Sequence, residues 1–288
     1  MLLRVSHLTR YYYSQKVFPA PHRLYLRPRS SARQEVRGFR LQFAPTAKVV
    51  ATLDPHDNAL DWAYWMEPTA AINIETEFEV QTFGANPFDF ILQADAIRFP
   101  FDYADAERAA LAPWLVPPEA GAGSRLAAWL GDQVGAPPNE TLGWLTTVNT
   151  AVMRAIGYTR RDEHGIQTAE TTLDLGTGSC RDFAALLVDL CRLNGVAARF
   201  VSGYLYEPPP EDPARAAPTA MHAWTEVYLP GGGWRGLDPT RGIFCDDAFV
   251  PVAHAVRGEW VSPVQGSFSA QGPVTAELQA DISVVRLD

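Results

Sequence analysis

Apolar and polar residues alternate along much of the first hundred positions. In Ile72-Asn73-Ile74-Glu75-Thr76-Glu77-Phe78-Glu79-Val80 the apolar side chains fall on almost every second position, the period of a strand with one buried face. Arg23-Leu24-Tyr25-Leu26-Arg27 and Phe39-Arg40-Leu41-Gln42-Phe43 repeat the alternation, and turn-forming clusters such as Asp54-Pro55-His56-Asp57-Asn58 separate the runs. Short antiparallel strands divided by turns predict a small sandwich.

Near residue 104 the period changes to that of a helix. Ala104 to Leu115 and Arg125 to Val134 carry helical patterns, separated by Val116-Pro117-Pro118 and a glycine-rich connector. Asn139 to Ile156 predicts a longer helix, with Asn139 as its cap and Leu142, Leu145, Val148, Val152 and Ile156 along one face. A loop rich in threonine and glycine follows. The spacing then predicts a helix from Cys180 to about Asn194 and strands from Val196 to Tyr206, His222 to Leu229 and Trp234 to Leu237. The tail, Val274 to Leu287, reads as one more strand. The expected fold is α+β: an N-terminal antiparallel β-sandwich-like domain over residues 1–103, then a domain over residues 104–288 in which helices pack on an antiparallel sheet.

With 288 residues, 47 % of them hydrophobic, the chain can bury more than one small core. A net charge of −9 and a pI near 5.2 argue against nucleic acid as a main partner, because phosphate binding wants a basic face. Six arginines lie between Arg23 and Arg40, but Leu24, Leu26, Phe39 and Leu41 interrupt them, as on the solvated faces of strands. No apolar run approaches the roughly 18 residues of a membrane span, and the start, MLLRVSHLTRYYY, does not read as a signal peptide. No membrane partner is expected, and the expected location is the cytoplasm. Three cysteines, Cys180, Cys191 and Cys245, cannot build a disulfide framework and lack the paired spacing of a zinc site.

Cys180 is the cysteine with a distinctive setting. Gly176-Thr177-Gly178-Ser179 precedes it, Ser179 is a good N-cap, and Phe183, Leu186, Leu187, Leu190 and Cys191 repeat at helical spacing beyond it. Cys180 therefore opens a buried helix, where the dipole and unpaired backbone N–H groups favour a thiolate and could stabilise an oxyanion. His222 begins a strand and shares a face with Trp224, Glu226 and Tyr228. Pro230-Gly231-Gly232-Gly233 is a hairpin turn. If the loop is Pro230-Gly231-Gly232, Leu229 faces Gly233 and Asp238 faces Trp224, which makes Asp238 the diagonal neighbour of His222. A slip of one residue would turn Asp238 to the other face. Each residue also has an ordinary structural reading: a small buried thiol, a strand-end histidine, an Asp-Pro turn. A cysteine, a histidine and an aspartate in mutual contact form a nucleophile, a base and an orienter for acyl transfer.

Four motifs carry a family resemblance: Cys180-Arg181-Asp182-Phe183-Ala184, Gly195-Val196-Ala197-Ala198-Arg199-Phe200-Val201-Ser202-Gly203-Tyr204, His222-Ala223-Trp224 and Gly236-Leu237-Asp238-Pro239-Thr240. In this order and spacing they resemble the core of the transglutaminase-like superfamily. Tyr11-Tyr12-Tyr13, Pro21-His22-Arg23-Leu24 and Leu26-Arg27-Pro28-Arg29 resemble the β-rich domain that precedes this core in bacterial members. The resemblance implies a papain-like α+β core and a catalytic Cys-His-Asp triad, which maps onto Cys180, His222 and Asp238. Arg181 departs from the glutamine that bacterial relatives often carry. Tyr158, after the helix before the nucleophile loop, is the candidate for polarising the substrate carbonyl.

The expected activity is thiol-dependent acyl transfer on amide bonds of peptides or proteins: hydrolysis of a peptide or glutamine amide, or transamidation, through a thioester. The alternative is a non-catalytic module of the same fold that binds proteins or peptides. An arylamine acetyltransferase-like enzyme would use the same triad but needs a coenzyme A site that no feature demands. No acidic calcium loop is visible, so no metal or other cofactor is expected. Gly176-Thr177-Gly178-Ser179 lacks the lysine and spacing of a P-loop. Cys191 is expected in the core and Cys245, beside Asp246 and Asp247, as a poor nucleophile. Glu207 to Ala220, with five prolines, is read as an exposed loop or as a rim that filters substrates.

Overall fold

The computed structural model describes residues 1–135, 138–161, 163–209 and 220–288. Its N-terminal part consists of the strands β1 (Leu2–Pro19), β2 (His22–Leu24), β3 (Gln34–Ala44), β4 (Lys48–Leu53), β5 (Ala59–Tyr64) and β6 (Thr69–Thr82). The alternation read at 72–80 is the burial pattern of β6: Ile72, Ile74, Phe78 and Val80 are buried, and so is Thr76. β1 shows no clean apolar alternation because two inward positions are polar. His7 Nδ1 lies 2.9 Å from the Tyr204 hydroxyl and His7 Nε2 lies 3.0 Å from Thr9 Oγ1. These hydrogen bonds make the burial of both side chains tolerable.

The second part begins with the helices α1 (Asp105–Leu111), α2 (Ala120–Val134) and α3 (Thr141–Ala155). A short parallel pair, β7 (Gly157–Tyr158) and β8 (Thr177–Gly178), encloses α4 (Ala169–Leu175), and α5 (Cys180–Leu193) follows. Then come β9 (Ala198–Leu205), β10 (His222–Leu229), β11 (Gly233–Asp238), β12 (Ile243–Phe244) and β13 (Phe249–Ala255). The chain ends with β14 (Val264–Gln265), β15 (Phe268–Ser269) and β16 (Ala276–Arg286). The central sheet is antiparallel, in the order β12-β11-β10-β9-β13.

Several elements differ from expectation. The helix predicted at 104–115 ends at Leu111 and continues as a 3-10 turn over Ala112–Leu115 with a proline near its start, where the missing N–H interrupts the α-ladder. α3 takes Glu140, not Asn139, as its N-cap. The threonine-rich loop contains α4, capped by Thr168 Oγ1 on Thr171 N and closed by Gly176 at φ 62°. β13 had no strand signal, because it is an edge strand whose register shifts between Pro251 and Ala253.

The last strand crosses the expected division at residue 104. β16 pairs with β1 from Leu3↔Arg286 to Tyr13↔Ala276, β15 pairs with the end of β1, and β14 pairs with β2. The tail thus completes the N-terminal sheets. One of these, with β1 and β6 at its middle, packs on the sheet of β14, β2, β5 and β4 through Val17, Leu24, Ala63, Ile72 and Ile74. Its other portion covers the outer face of the central sheet, where Leu3, Val5, Phe78 and Val80 meet Tyr204, Val250 and Val252. The inner face of the central sheet carries the helices. Phe183, Leu186, Leu187 and Leu190 of α5 and Trp144, Leu145, Val148 and Val152 of α3 pack with Phe200, Val227, Leu229 and Leu237.

Gly203 sits where three strands meet. A Cβ there would overlap Val250 O and lie 2.7 Å from Trp224 Cη2. Gly203→Ala is therefore expected to cost about 3 kcal/mol through overpacking, read as a lowered midpoint in denaturant unfolding. An unchanged midpoint would show that β9 and β13 can separate at no cost.

Candidate active site

The start of α5 is fixed by its own sequence. Ser179 is the N-cap and Asp182, three residues on, returns its carboxylate to the cap, the reciprocal half of a capping box. Asp182 Oδ2 accepts from Ser179 N and Ser179 Oγ, both at 2.8 Å. Oδ1 accepts from Gln167 N at 2.8 Å. Arg161 Nη1 donates to both oxygens, at 2.7 and 2.8 Å. Burial alone would push the buried Asp182 carboxyl up, but these donors together hold it below its ordinary value. Gly178 is needed beside it, since a Cβ there would come within 2.9 Å of Asp182 Cβ. Arg181 Nη2 donates to the carbonyls of Arg161 and Glu163 at 2.9 and 2.7 Å. Cys180 is thereby held at the first position of α5, partly exposed.

The hairpin of β10 and β11 has the register expected from its glycines, Leu229↔Gly233 through Thr225↔Leu237. His222 Nε2 is 2.9 Å from Asp238 Oδ2. The second oxygen of Asp238 accepts from Thr240 N at 2.9 Å and Thr240 Oγ1 at 2.7 Å. Cys180 lies near enough to His222 to influence its titration, and with Nε2 engaged by Asp238 the nitrogen available to the sulfur is Nδ1. Trp224 and Phe249 flank the imidazole, with ring centroids 6.2 and 6.1 Å away.

Electrostatics follow from this packing. Burial disfavours the His222 imidazolium, but the hydrogen bond and charge of Asp238, with the nearby Cys180, outweigh it and raise its pKa to about 9. Burial likewise opposes ionisation of Asp238, yet His222 and Thr240 hold its carboxyl below the usual range. An imidazolium held at neutral pH between a thiol and a buried carboxylate can donate a proton to a leaving group.

The structure brings Cys180, His222 and Asp238 together: His222 is bonded to Asp238, and Cys180 is near enough to influence the imidazole. Tyr158 lies on β7 opposite Gly178 of β8. Its side chain is 62 % exposed, and its phenol is raised by burial and by the neighbouring charge of Cys180. Cys191 is fully buried, its thiol pushed up to about 12 by burial. Cys245 is also buried, and burial with the charges of Asp238, Glu226 and Asp246 pushes it well above its ordinary value. Of the proline-rich segment, positions 210–219 lie outside the described residues. Glu207, at its start, forms an ion pair with Arg241 beside Asp238. Among the described residues no group of His, Cys, Asp or Glu is placed to hold a metal ion, and no helix is long and apolar enough to cross a membrane. Sequence reasoning gave no role to Asp182, Arg161 or Thr240. The first carried a signal, the Ser-x-x-Asp spacing of a capping box. Arg161 carried none, because its partner is 21 residues away.

Residues 129–239 match the transglutaminase-like superfamily, and residues 3–81 match the bacterial transglutaminase-like N-terminal region. An uncharacterised protein of Mycobacterium tuberculosis (strain ATCC 25618 / H37Rv) is 27 % identical over 285 residues, covering 91 % of this chain and 86 % of the relative. An uncharacterised protein of Mycobacterium leprae (strain TN) is 28 % identical over 106 residues, 37 % of each chain. Among solved structures, a candidate cysteine protease from Cytophaga hutchinsonii superposes with a TM-score of 0.75 at 17 % identity, covering 100 % of this chain and 92 % of that one. At that identity the likeness concerns the fold.

Proposed function

The chain is a member of the transglutaminase-like superfamily in which the bacterial N-terminal region precedes the core, and from that premise we propose that it is a thiol-dependent amidase or peptidase acting on peptides or proteins. One observation carries the reading: His222 is hydrogen-bonded at 2.9 Å to the buried Asp238 and has Cys180 near enough to influence its titration. The same fold in the Cytophaga hutchinsonii protein bears the description of a candidate cysteine protease. Hydrolysis is the outcome assigned here, with transamidation as the branch taken when an amine replaces water. The expected setting is the cytoplasm, on the cysteine usage of the sequence.

In the proposed mechanism the Cys180 thiolate attacks the carbonyl carbon of an amide, and the carbonyl electron pair moves onto oxygen. The backbone N–H of Cys180 at the start of α5 and the Tyr158 hydroxyl are the proposed donors to that oxygen. Collapse breaks the C–N bond, and the departing amine takes the proton held by His222. A thioester remains on Cys180. Neutral His222 then accepts a proton from water, whose oxygen attacks the thioester carbon. The acid is released and the thiolate returns. Asp238 keeps the ring oriented and its charge supported through both halves.

Parallel assays of ammonia release, peptide cleavage and amine incorporation, with intact-mass detection of an acyl adduct on Cys180, test this reading. An adduct that decays with product release is expected. Binding of peptides with no adduct and no product from a broad library would instead favour the binding module. The pH dependence has a definite sign. His222 must carry its proton to release the amine, so kcat/KM is expected to fall on the alkaline side with a midpoint near pH 9. A profile still rising at pH values well above 9 would contradict that role.

A further inference from the structure

Between the segment that joins β2 to β3 and the central sheet lies a cleft of about 440 Å³, within the size range of small-ligand sites. Four arginines line it, Arg29, Arg33, Arg199 and Arg235, against two carboxylates, Asp57 and Glu226. That is a local excess of positive charge in a chain whose net charge is −9. Two of the cations are committed: Arg29 pairs with Asp57, and Arg199 Nη2 lies 2.6 Å from Glu226 Oε2. Arg33 and Arg235 have no ion-pair partner among the described residues. Arg235 stacks on Phe90, its guanidinium carbon 4.4 Å from the ring centre, and its Nε is buried without a hydrogen-bond partner. Burial and the like charge of Arg33 lower the pKa of Arg235, and Asp89 and Glu226 offset this only in part. His254, also on the cleft wall, is held neutral because burial lowers its pKa to about 4. Gln34, another lining residue, is 2 % exposed. Its Nε2 donates to Arg29 O at 2.8 Å and to Pro251 O at 2.9 Å, while Oε1 is buried with no partner among the described residues. A buried acceptor left open is a cost that a ligand N–H would remove.

We propose that this cleft binds an acidic peptide, with a carboxylate held by the guanidinium groups of Arg33 and Arg235 and a backbone N–H donated to Gln34 Oε1. A carboxylate matches the planar fork of a guanidinium and relieves the repulsion between two unpaired arginines. Phosphate would satisfy the arginines equally, but an ionised phosphate offers acceptors and leaves Gln34 Oε1 open. A peptide supplies the carboxylate and the donor together. Trp234 and Pro251 add apolar surface for the rest of the ligand. Arg33 also borders a smaller cavity beside Trp224, Cys245 and Asp246. The Asp246 carboxylate there accepts from Ala248 N at 2.9 Å. None of Cys180, His222 and Asp238 lines the cleft, so the proposal does not depend on the chemistry of the thiol.

Calorimetric titration of the full chain as Cys180→Ala, which removes any heat of turnover, tests the proposal. The probes are alanine pentapeptides with blocked ends and a central glutamate or glutamine, together with glutarate and inorganic phosphate. The glutamate peptide is expected to bind roughly tenfold more tightly than the glutamine peptide, and more tightly than glutarate, which lacks the N–H. Arg33→Gln and Arg235→Gln should each weaken it roughly tenfold, and added salt should weaken it as well. Arg125→Gln, on α2 and not part of the cleft, should leave the affinity unchanged. Should Arg235→Gln lower the unfolding midpoint, Arg33→Gln decides alone. Equal affinity for the two peptides, no binding of the glutamate peptide at millimolar concentration, or full affinity in the Arg33→Gln protein would overturn the proposal. Phosphate that displaces the glutamate peptide at equal or lower concentration would overturn it in favour of a phosphate site. Binding is read without turnover, so the result stands even if the protein proves to cleave no amide.

Discussion

Cys180→Ala is expected to leave the protein folded and to reduce turnover by a factor on the order of 10⁴ or more. The sulfur is the atom that would form the covalent intermediate, and nothing nearby can replace it. Cys191 is buried at 0 % exposure in the helical core and Cys245 at 7 % behind Asp238. Burial keeps both protonated, since a thiolate in an apolar setting lacks solvation. The stability change should be small, about 1 kcal/mol or less, because Cys180 is only partly buried and alanine is a good helix residue. Product release measured beside a denaturant melt checks both halves. Full activity in a folded Cys180→Ala protein would remove the thiol from the chemistry.

Asp238→Asn is expected to lower kcat by roughly 10³ to 10⁴ and to shift the alkaline limb. The amide retains an acceptor for Thr240, but its NH₂ group would face His222 Nε2. That forces Nε2 to be the acceptor and leaves the proton on the nitrogen that faces Cys180, so neutral histidine can no longer act as the base. The charge that raises His222 is lost as well, so the midpoint near pH 9 should fall towards the ordinary 6.5. Stability changes in the same sense. A raised folded-state pKa contributes fully below pH 6.5 and is lost as pH rises through about 9, worth about 3 kcal/mol at the low end. Unfolding of the wild type at pH 6 and at pH 10 should show this difference, and the variant should largely lack it. A variant that kept both the limb near 9 and the wild-type pH dependence would mean that another group holds the proton.

Much of the local geometry of the candidate site was legible in the sequence because its determinants are local. Gly178-Ser179 before an apolar helical run places Cys180 at a helix start whatever the surroundings. The glycine turn after Leu229 sets the register of β10 and β11, and register alone decides that Asp238 comes to the His222 side of the hairpin. The contact between Cys180 and His222 is of a different kind. It depends on α5 lying across the inner face of the sheet, with Thr225 Oγ1 bonded to Ala184 O at 2.9 Å, and only the family motifs hinted at it. α4 and β13 escaped notice for opposite reasons. The first is seven residues long, too short for periodicity to emerge, and the second is irregular at Pro251.

By itself the chain determined those features whose physics is confined to a few neighbouring residues: the alternation of β6, the amphipathic faces of α3 and α5, the cap at Ser179 and the turn that aligns two strands. Tertiary structure alone decided that β16 returns to β1 from the far end of the chain, that His7 is satisfied by Tyr204, and that Arg161 comes to rest on Asp182. The reason is that a buried polar group, an edge strand or a buried carboxylate is a deficit with many conceivable remedies. Local pattern reveals the deficit at most, whereas the remedy is chosen by which distant segment the packed core delivers to it.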